Sequence, residues 1–322
     1  LAMAGCLIAG KTVTTEFAYF SPGPTRNPAA WALGIEATPG GSSSGSAAAV
    51  AAGLCDLALG TQTIGSVGRP AAFCGVVGFK PSYDRISRQG VIPLAPSVDH
   101  VGVFAKSTAT ITAAAKVLIH DWRAVSADRP RLGIPRGPYL DLMSSEAREH
   151  FSRVTEKLRK DAGWGIDDVG VMPDFEAIVE RHRLLVAAEC AEVHADWFVR
   201  FESRYAPKTA ELIRRGQSVA AADLAAARAG RLALRGELEA AMTRAGISFW
   251  ISPPALGSAP RGLESTGDPI MNLPWSHSGL PAIVLPAGVG ADGLPMGLQI
   301  AGRFGADEEL LALASLLEGD LA

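Results

Sequence analysis

An α/β fold built around a mainly buried sheet is the reading this sequence supports, and three observations lead to it. Short apolar segments at 132–134, 247–252, 282–286 and 296–301 are bounded by Gly and Pro, the signature of buried strands. They alternate with longer stretches of amphipathic helical texture, as in a helix-covered sheet. The 322-residue chain is 48% hydrophobic against 20% charged, so it can fill a large core, and its 35 Gly and 21 Pro supply many turns.

The same composition excludes several function classes. Disorder as the dominant state is excluded. A formal charge of −3 offers no basic field to a polyphosphate backbone, so no nucleic-acid partner is expected. Even the Ala/Gly-rich stretch 46–59 is broken by Asp56, so no membrane span is expected. Cys6, Cys55, Cys74 and Cys190 lie far apart and never form C-x-x-C, and three of them sit in apolar runs typical of buried thiols. This predicts a reducing, cytoplasmic setting without a disulfide framework or structural zinc.

Taken in order, the chain opens on Leu1 inside an apolar run with no basic stretch before it, which reads as a sequence entered partway through. Met3 to Cys6 superficially resembles a lipoprotein cleavage site, but too few residues precede Cys6 to hold the charged and hydrophobic regions of such a signal. Gly5 to Thr12 meets the G-x-x-x-x-G-K-T spacing of a phosphate loop. Its context is wrong, because apolar residues fill the loop interior and Thr12-Val13-Thr14-Thr15 is β-branched rather than helix-forming; a strand-to-turn reading is preferred.

From Gly34 to Gly90 small residues dominate, with Gly-Gly-Ser-Ser-Ser-Gly-Ser at 40–46 and Gly-Thr-Gln-Thr-Ile-Gly-Ser at 60–66. Ser46 is expected to cap a helix over 47–52, residues 54–59 to form a buried strand, and Pro70 to sit in the first turn of another helix. Both polar loops would then lie at helix N-termini. Helices are predicted over 107–119, 144–161, 174–201 and 219–244. No repeat, low-complexity tract or charge run marks a linker. One domain over 1–322 is expected, with a loop-rich core at about 34–106, a helical middle at about 107–245 and C-terminal strands and a helix at about 246–322.

Two serine motifs compete. Gly41 to Gly45 satisfies G-x-S-x-G with Ser43 as nucleophile, but no apolar strand precedes it, and none of His100, His182, His194 or His277 has a supporting motif as base. The other reading uses both loops: Ser42 and Ser66, each preceded by glycine, could reach one sheet edge, with Gly40, Gly41 and Gly65 turning backbone N–H groups inward. Residues Thr63, Ile64, Gly65 and Ser66 offer successive N–H donors ahead of a helix, and one oxyanion donor is typically worth about 3–4 kcal/mol. Spacing alone leaves open that the loops only pack or bind an anion.

The stretches 40–53, 59–66 and 69–81 (Arg-Pro-Ala-Ala-Phe-Cys-Gly-Val-Val-Gly-Phe-Lys-Pro) together resemble the signature region of the amidase signature family. Residues 9–18, Asp99-His-Val-Gly102, 279–286 and 293–300 agree with it, so the resemblance covers most of the chain and is weakest over 107–245. It implies an amidase signature fold, a large mixed β-sheet core surrounded by α-helices. It also implies cofactor-free, metal-free hydrolysis of a linear carboxamide through an acyl-serine, with release of ammonia or an amine, by a Ser–cis-Ser–Lys triad. A small-molecule amide is the implied partner, and a homo-oligomer is compatible with it.

Residue by residue, the resemblance assigns Ser66 as nucleophile, Ser42 as the bridging cis-serine, Ser43 as a supporting serine, and the backbone of Thr63, Ile64, Gly65 and Ser66 as oxyanion hole. Gly40, Gly41, Gln62 and Arg69 support the loops, Arg69 by hydrogen bonds to Gln62 or to backbone carbonyls. Gln62 and Ile64 stand where many members carry Asp and Gly. The acyl cleft is expected between Tyr19 and Phe20 on one side and Asn272 and Trp275 on the other, although the aromatics could equally be core. His277 reads as a surface or rim histidine. The family's catalytic Lys belongs to a Lys-Asp or Lys-Glu context upstream of Gly10-Lys11-Thr12, a position that residues 1–322 do not match; Lys11 and Lys80 match structural positions instead. Activity of this stretch alone would therefore depend on a base outside it. The amidase component of a glutamine-dependent tRNA amidotransferase and a catalytically impaired relative stand as alternatives.

Overall fold

In the computed structural model, which describes residues 1–126 and 128–321, two short 3-10 turns (Ala2–Ala4 and Glu16–Ala18) precede helix α1 (Pro28–Ala32). The Asn27 side chain caps α1 by accepting the Ala29 N–H at 3.0 Å, and Pro28 presets its first turn. There follow α2 (Ser44–Ala51), β1 (Leu57–Gln62), α3 (Gly68–Cys74), β2 (Val77–Lys80), β3 (His100–Ala105), α4 (Thr108–Leu118) and β4 (Leu132–Arg136). Then come α5 (Pro138–Asp141), α6 (Ser145–Lys160), β5 (Ile166–Gly170), α7 (Phe175–Phe201), α8 (Pro207–Gln217) and α9 (Ala221–Ala245). The last elements are β6 (Phe249–Ser252), α10 (Leu273–His277), β7 (Ala282–Val289), β8 (Pro295–Ala301) and α11 (Asp307–Leu321).

Among the described residues the eight strands form one mixed sheet in the order β1-β3-β2-β7-β8-β6-β4-β5. Neighbours are antiparallel from β1 through β6, and the β6–β4 and β4–β5 pairs are parallel. Register is carried through the centre by Phe79 opposite Val103 and Ile283, and by Val284 opposite Gln299. Strands β2, β3 and β6 are buried along their whole length, whereas the edge strands β1 and β5 are mostly half-buried, with Leu59, Asp168 and Gly170 exposed and Gln62 buried. Helices on both faces account for the continuous apolar character of the centre. One large cluster of buried side chains, including Phe79, Tyr139, Trp250, Trp275 and Leu298, fills the space between sheet and helices.

The cap residues place several helices where the sequence predicts them. Ser107 accepts the Thr110 N–H and Ser144 the Ala147 N–H, starting α4 and α6. Gly246 ends α9 in the left-handed region at φ +64°, which favours glycine. Other expectations are corrected. Ser46 does not cap α2: the helix begins at Ser44, and the Ser46 hydroxyl donates to Leu59 O at 2.7 Å, tying α2 to the strand. The strand expected at 54–59 runs from Leu57 to Gln62, because Ala52 to Leu54 make the turn that ends α2. Residues 5–12 form no strand; they pair with none, and Leu7 and Ile8 are exposed. Strands β2, β3 and β5 and helix α8 lie outside the expected segments, being short, polar in part, or dependent on partners far away in sequence. Of the four cysteines, all free, Cys74 and Cys190 are buried, Cys55 is half-buried and Cys6 is exposed. No helix is long and apolar enough to cross a membrane, and no group of three or more metal-ligating side chains occurs among the described residues.

Candidate active site

The two glycine- and serine-rich loops meet at the end of β1. Loop 40–43 feeds α2 and loop 63–67 feeds α3, so both deliver backbone N–H groups at a helix start. The Gly41–Ser42 peptide is cis, the only cis bond among the described residues. Ser42 and Ser66 are 3% and 7% exposed, and both line one small cavity with Ala18, Tyr19, Phe20, Thr63, Ile64, Arg69, Leu94, Thr266 and Pro269. Neither hydroxyl hydrogen-bonds to another described group, and that of Ser42 is fully buried. A buried hydroxyl without a partner is costly in a purely structural role. The N–H groups of Ile64, Gly65 and Ser66 likewise meet no protein acceptor among the described residues.

Surrounding groups hold this arrangement. Gln62 Oε1 accepts the N–H groups of Val67 (2.8 Å) and Gly68 (2.9 Å), capping α3, while its Nε2 donates to Ser276 Oγ at 2.9 Å. Ser276 in turn donates to Ile64 O at 2.6 Å, fixing the carbonyl side of that peptide so that its N–H side is free. Ser43 Oγ donates to Thr61 O and accepts from Thr61 N, both at 3.2 Å, pinning loop 40–43 to β1. Gly40 O accepts the Ser44 hydroxyl at 2.7 Å. Arg69, 2% exposed, donates to Gly267 O and Gly41 O, both at 2.6 Å, and to Thr266 Oγ1 at 3.2 Å. Its partners are thus backbone carbonyls and Thr266, and not Gln62. Burial pushes the guanidinium down to about 9, partly offset by Asp268, which leaves it charged near neutral pH. Gly65 is required by close approach: a Cβ there would lie 2.3 Å from Asn272 Oδ1.

Two expected pocket residues lie elsewhere. Trp275 is fully buried, packed edge-on against Tyr139, and Asn272 is fully buried with Nδ2 donating to Gln299 Oε1 (2.6 Å) and Pro254 O (3.1 Å). Asn272 lies behind the loop, close against Gly65 and Gly68, and neither residue lines the serine cavity or the larger one beside it. Tyr19 and Phe20 do line both cavities. His277 is likewise corrected from rim to interior: it is fully buried with Nδ1 3.2 Å from His182 Nδ1, and burial drives both imidazoles well below their ordinary value. Lys11 is exposed. Lys80 is buried, with Nζ donating to Leu280 O (2.6 Å) and Pro81 O (3.0 Å), and burial lowers it to about 7. Among the described residues no lysine or histidine lines the serine cavity.

Ser276 and Thr266 carry roles that no local motif announces, and Asp99, which the sequence marks only as part of a matching segment, carries a third. Asp99 Oδ1 accepts the Thr63 hydroxyl at 2.6 Å and Oδ2 accepts the N–H groups of Leu94 (2.8 Å) and Ala95 (2.9 Å), joining two walls of the serine cavity. Burial raises its pKa from 3.8 to about 6, against the opposing effect of those three hydrogen bonds. The fold therefore favours the protonated form: the stability Asp99 contributes is complete below its ordinary value and fades as pH rises through about 6. Asp99→Asn can keep all three contacts, its amide donating to Thr63 Oγ1. Its Tm relative to the native protein is expected to rise between pH 4 and pH 7, and a pH-independent difference in thermal melts would refute this account.

Known proteins resemble this chain in sequence and in fold along most of its length. The glutamyl-tRNA(Gln) amidotransferase A chain of Synechococcus sp. is 31% identical over 97% of this chain and 74% of its own length. A solved structure described as an amidase superposes with a TM-score of 0.85 at 32% identity, covering 96% of this chain and 73% of that one. The 6-aminohexanoate cyclic dimer hydrolase structure gives 0.80 at 27%, covering 97% and 74%. The family model described as Amidase matches residues 1–311, and with a mixed eight-stranded sheet clothed in helices the chain belongs to the amidase signature family.

Proposed function

We propose that this chain carries the acyl-transfer centre of a serine amidohydrolase that cleaves linear carboxamides. The observation that carries the reading is the convergence of the Ser42 and Ser66 hydroxyls on one cavity beside three N–H groups that meet no protein acceptor among the described residues. Ser66 Oγ attacks the carboxamide carbon, and its proton passes to Ser42 Oγ as Ser42 releases its own onward to a base. The negative charge on the former carbonyl oxygen is met by the N–H groups of Ile64, Gly65 and Ser66. The base returns the proton through Ser42 to the leaving nitrogen, so collapse of the tetrahedral species expels ammonia or an amine, and water, deprotonated along the same route, then frees the acid from the acyl-serine. The base implied by the family resemblance is a lysine at a position that residues 1–322 do not match, so the test uses protein expressed from its complete gene. A fluorophosphonate is expected to label Ser66, and labelling of Ser43 instead would overturn the assignment in favour of the elbow motif.

A second reading is favoured by the tRNA-dependent amidotransferase relatives. The same chemistry would then release ammonia from glutamine for a companion protein. Size-exclusion mass separates the two: a stable complex with other chains supports the amidotransferase, and an active species made only of this chain supports the free-standing amidase.

A further inference from the structure

We propose that the amide taken by this site carries a carboxylate on its acyl portion, remote from the scissile bond, and that Arg215, with Arg183 beside it, binds that carboxylate. The inference rests on the amidohydrolase reading and adds the substrate class to it. A cavity of about 380 Å³ adjoins the serine cavity and shares Tyr19, Phe20, Ile64 and Pro269 with it, so a chain leaving the reacting carbonyl has a path into it. Part of its wall is apolar, formed by Val186, Leu212, Ile270 and Leu273, which suits methylene groups.

The charged groups decide what ends that chain. Arg183 on α7 and Arg215 on α8 both line the cavity and both face a single carboxylate, Glu180. Arg183 Nη1 donates to Glu180 Oε1 at 2.8 Å, whereas Arg215 Nη2 is 3.6 Å from Oε2, too far for a hydrogen bond. The Arg215 side chain makes no hydrogen bond to any described group, so its planar fork of donors is open to a ligand. The Tyr19 phenol on the same cavity makes none either, and burial raises its pKa, keeping it a donor. Against these stands Asp268 in the cavity wall at the 265–269 loop, exposed and already accepting the Ile270 N–H at 2.9 Å. A carboxylate reaching Arg215 gains a charge-assisted, bidentate contact.

The test separates binding from reaction. In the Ser66→Ala protein, calorimetry compares three amides of equal length: adipamic acid, hexanamide and 6-aminohexanamide. Adipamate is expected to bind about tenfold more tightly than hexanamide, as one charge-assisted hydrogen bond implies. Arg215→Gln is expected to bring that ratio close to one, and Arg215→Lys to retain part of it; the side chain is 53% exposed, which favours folding of both variants. Equal binding of adipamate and hexanamide, tighter binding of 6-aminohexanamide through Asp268, or binding of none of the three would overturn the proposal. With Ser66 intact, turnover of hexanamide and adipamate at equal kcat/KM refutes the carboxylate and leaves the amidohydrolase standing. Turnover of no amide, with tight adipamate binding retained, refutes the reaction and leaves the carboxylate site standing.

Discussion

Ser66→Ala, made in protein expressed from its complete gene, is expected to lower kcat/KM for a carboxamide by at least about 10³-fold and to abolish fluorophosphonate labelling, with little change in Tm. The asymmetry between activity and stability follows from the environment of the side chain. Its hydroxyl makes no hydrogen bond to any described group, and it faces a cavity, so its removal orphans no partner. Ser42→Ala is expected to be similarly damaging because the proton leaves through it. The double variant should then be hardly worse than either single one, since two groups acting in one proton transfer do not contribute additively. Multiplying losses in the Ser42/Ser66 cycle would show that the serines act independently and refute the relay.

Arg69→Ala is expected to cost about 2–4 kcal/mol of stability and most of the activity together, because three hydrogen-bond acceptors lose a buried donor at once. Its fork joins Gly41 O, on the loop that delivers Ser42, to Gly267 O and Thr266 Oγ1, on the loop that roofs the cavity. Truncation leaves two carbonyls without their charged partner and a void between the loops. Arg69→Lys keeps a positive charge but not the planar fork, so it is expected to recover only part of the Tm and less of the activity. Denaturant unfolding and steady-state kinetics on the same preparations check both. Full recovery by Lys would mean that charge alone, rather than the bridging geometry, holds the loops.

Much of the site was legible because its chemistry is local. The small residues at 40–46 and 60–66 suggest loops that enter helices, and loops are found over 40–43 and 63–67 with α2 and α3 behind them, although residues 44–46 already belong to α2 and 60–62 to β1. Ser42, Ser66 and the 63–66 backbone could be singled out by motif, and the structure brings them to one cavity. The aromatics show where this kind of reasoning ends. Tyr19 and Trp275 look alike in sequence, yet one lines both cavities and the other is fully buried against Tyr139. Exposure is set by what packs on a residue, and that is not written next to it. Ser276 and Gln62, 214 residues apart, give no mutual signal, although their hydrogen bond helps to hold the loop.

By itself, the sequence determined the α/β class, the two glycine-rich loops and the serines that they carry, since these depend on periodicity, turn chemistry and residue type within short windows, and its resemblance to a known signature implied the family. The tertiary structure alone decided which groups meet: the strand order, the bridging role of Arg69, the clamp at Asp99, the burial of His277, and the arginines from α7 and α8 that face the larger cavity. Those depend on closing loops of tens to hundreds of residues, where a side chain's partner is fixed by the packing of the whole sheet and its helices rather than by its neighbours along the chain.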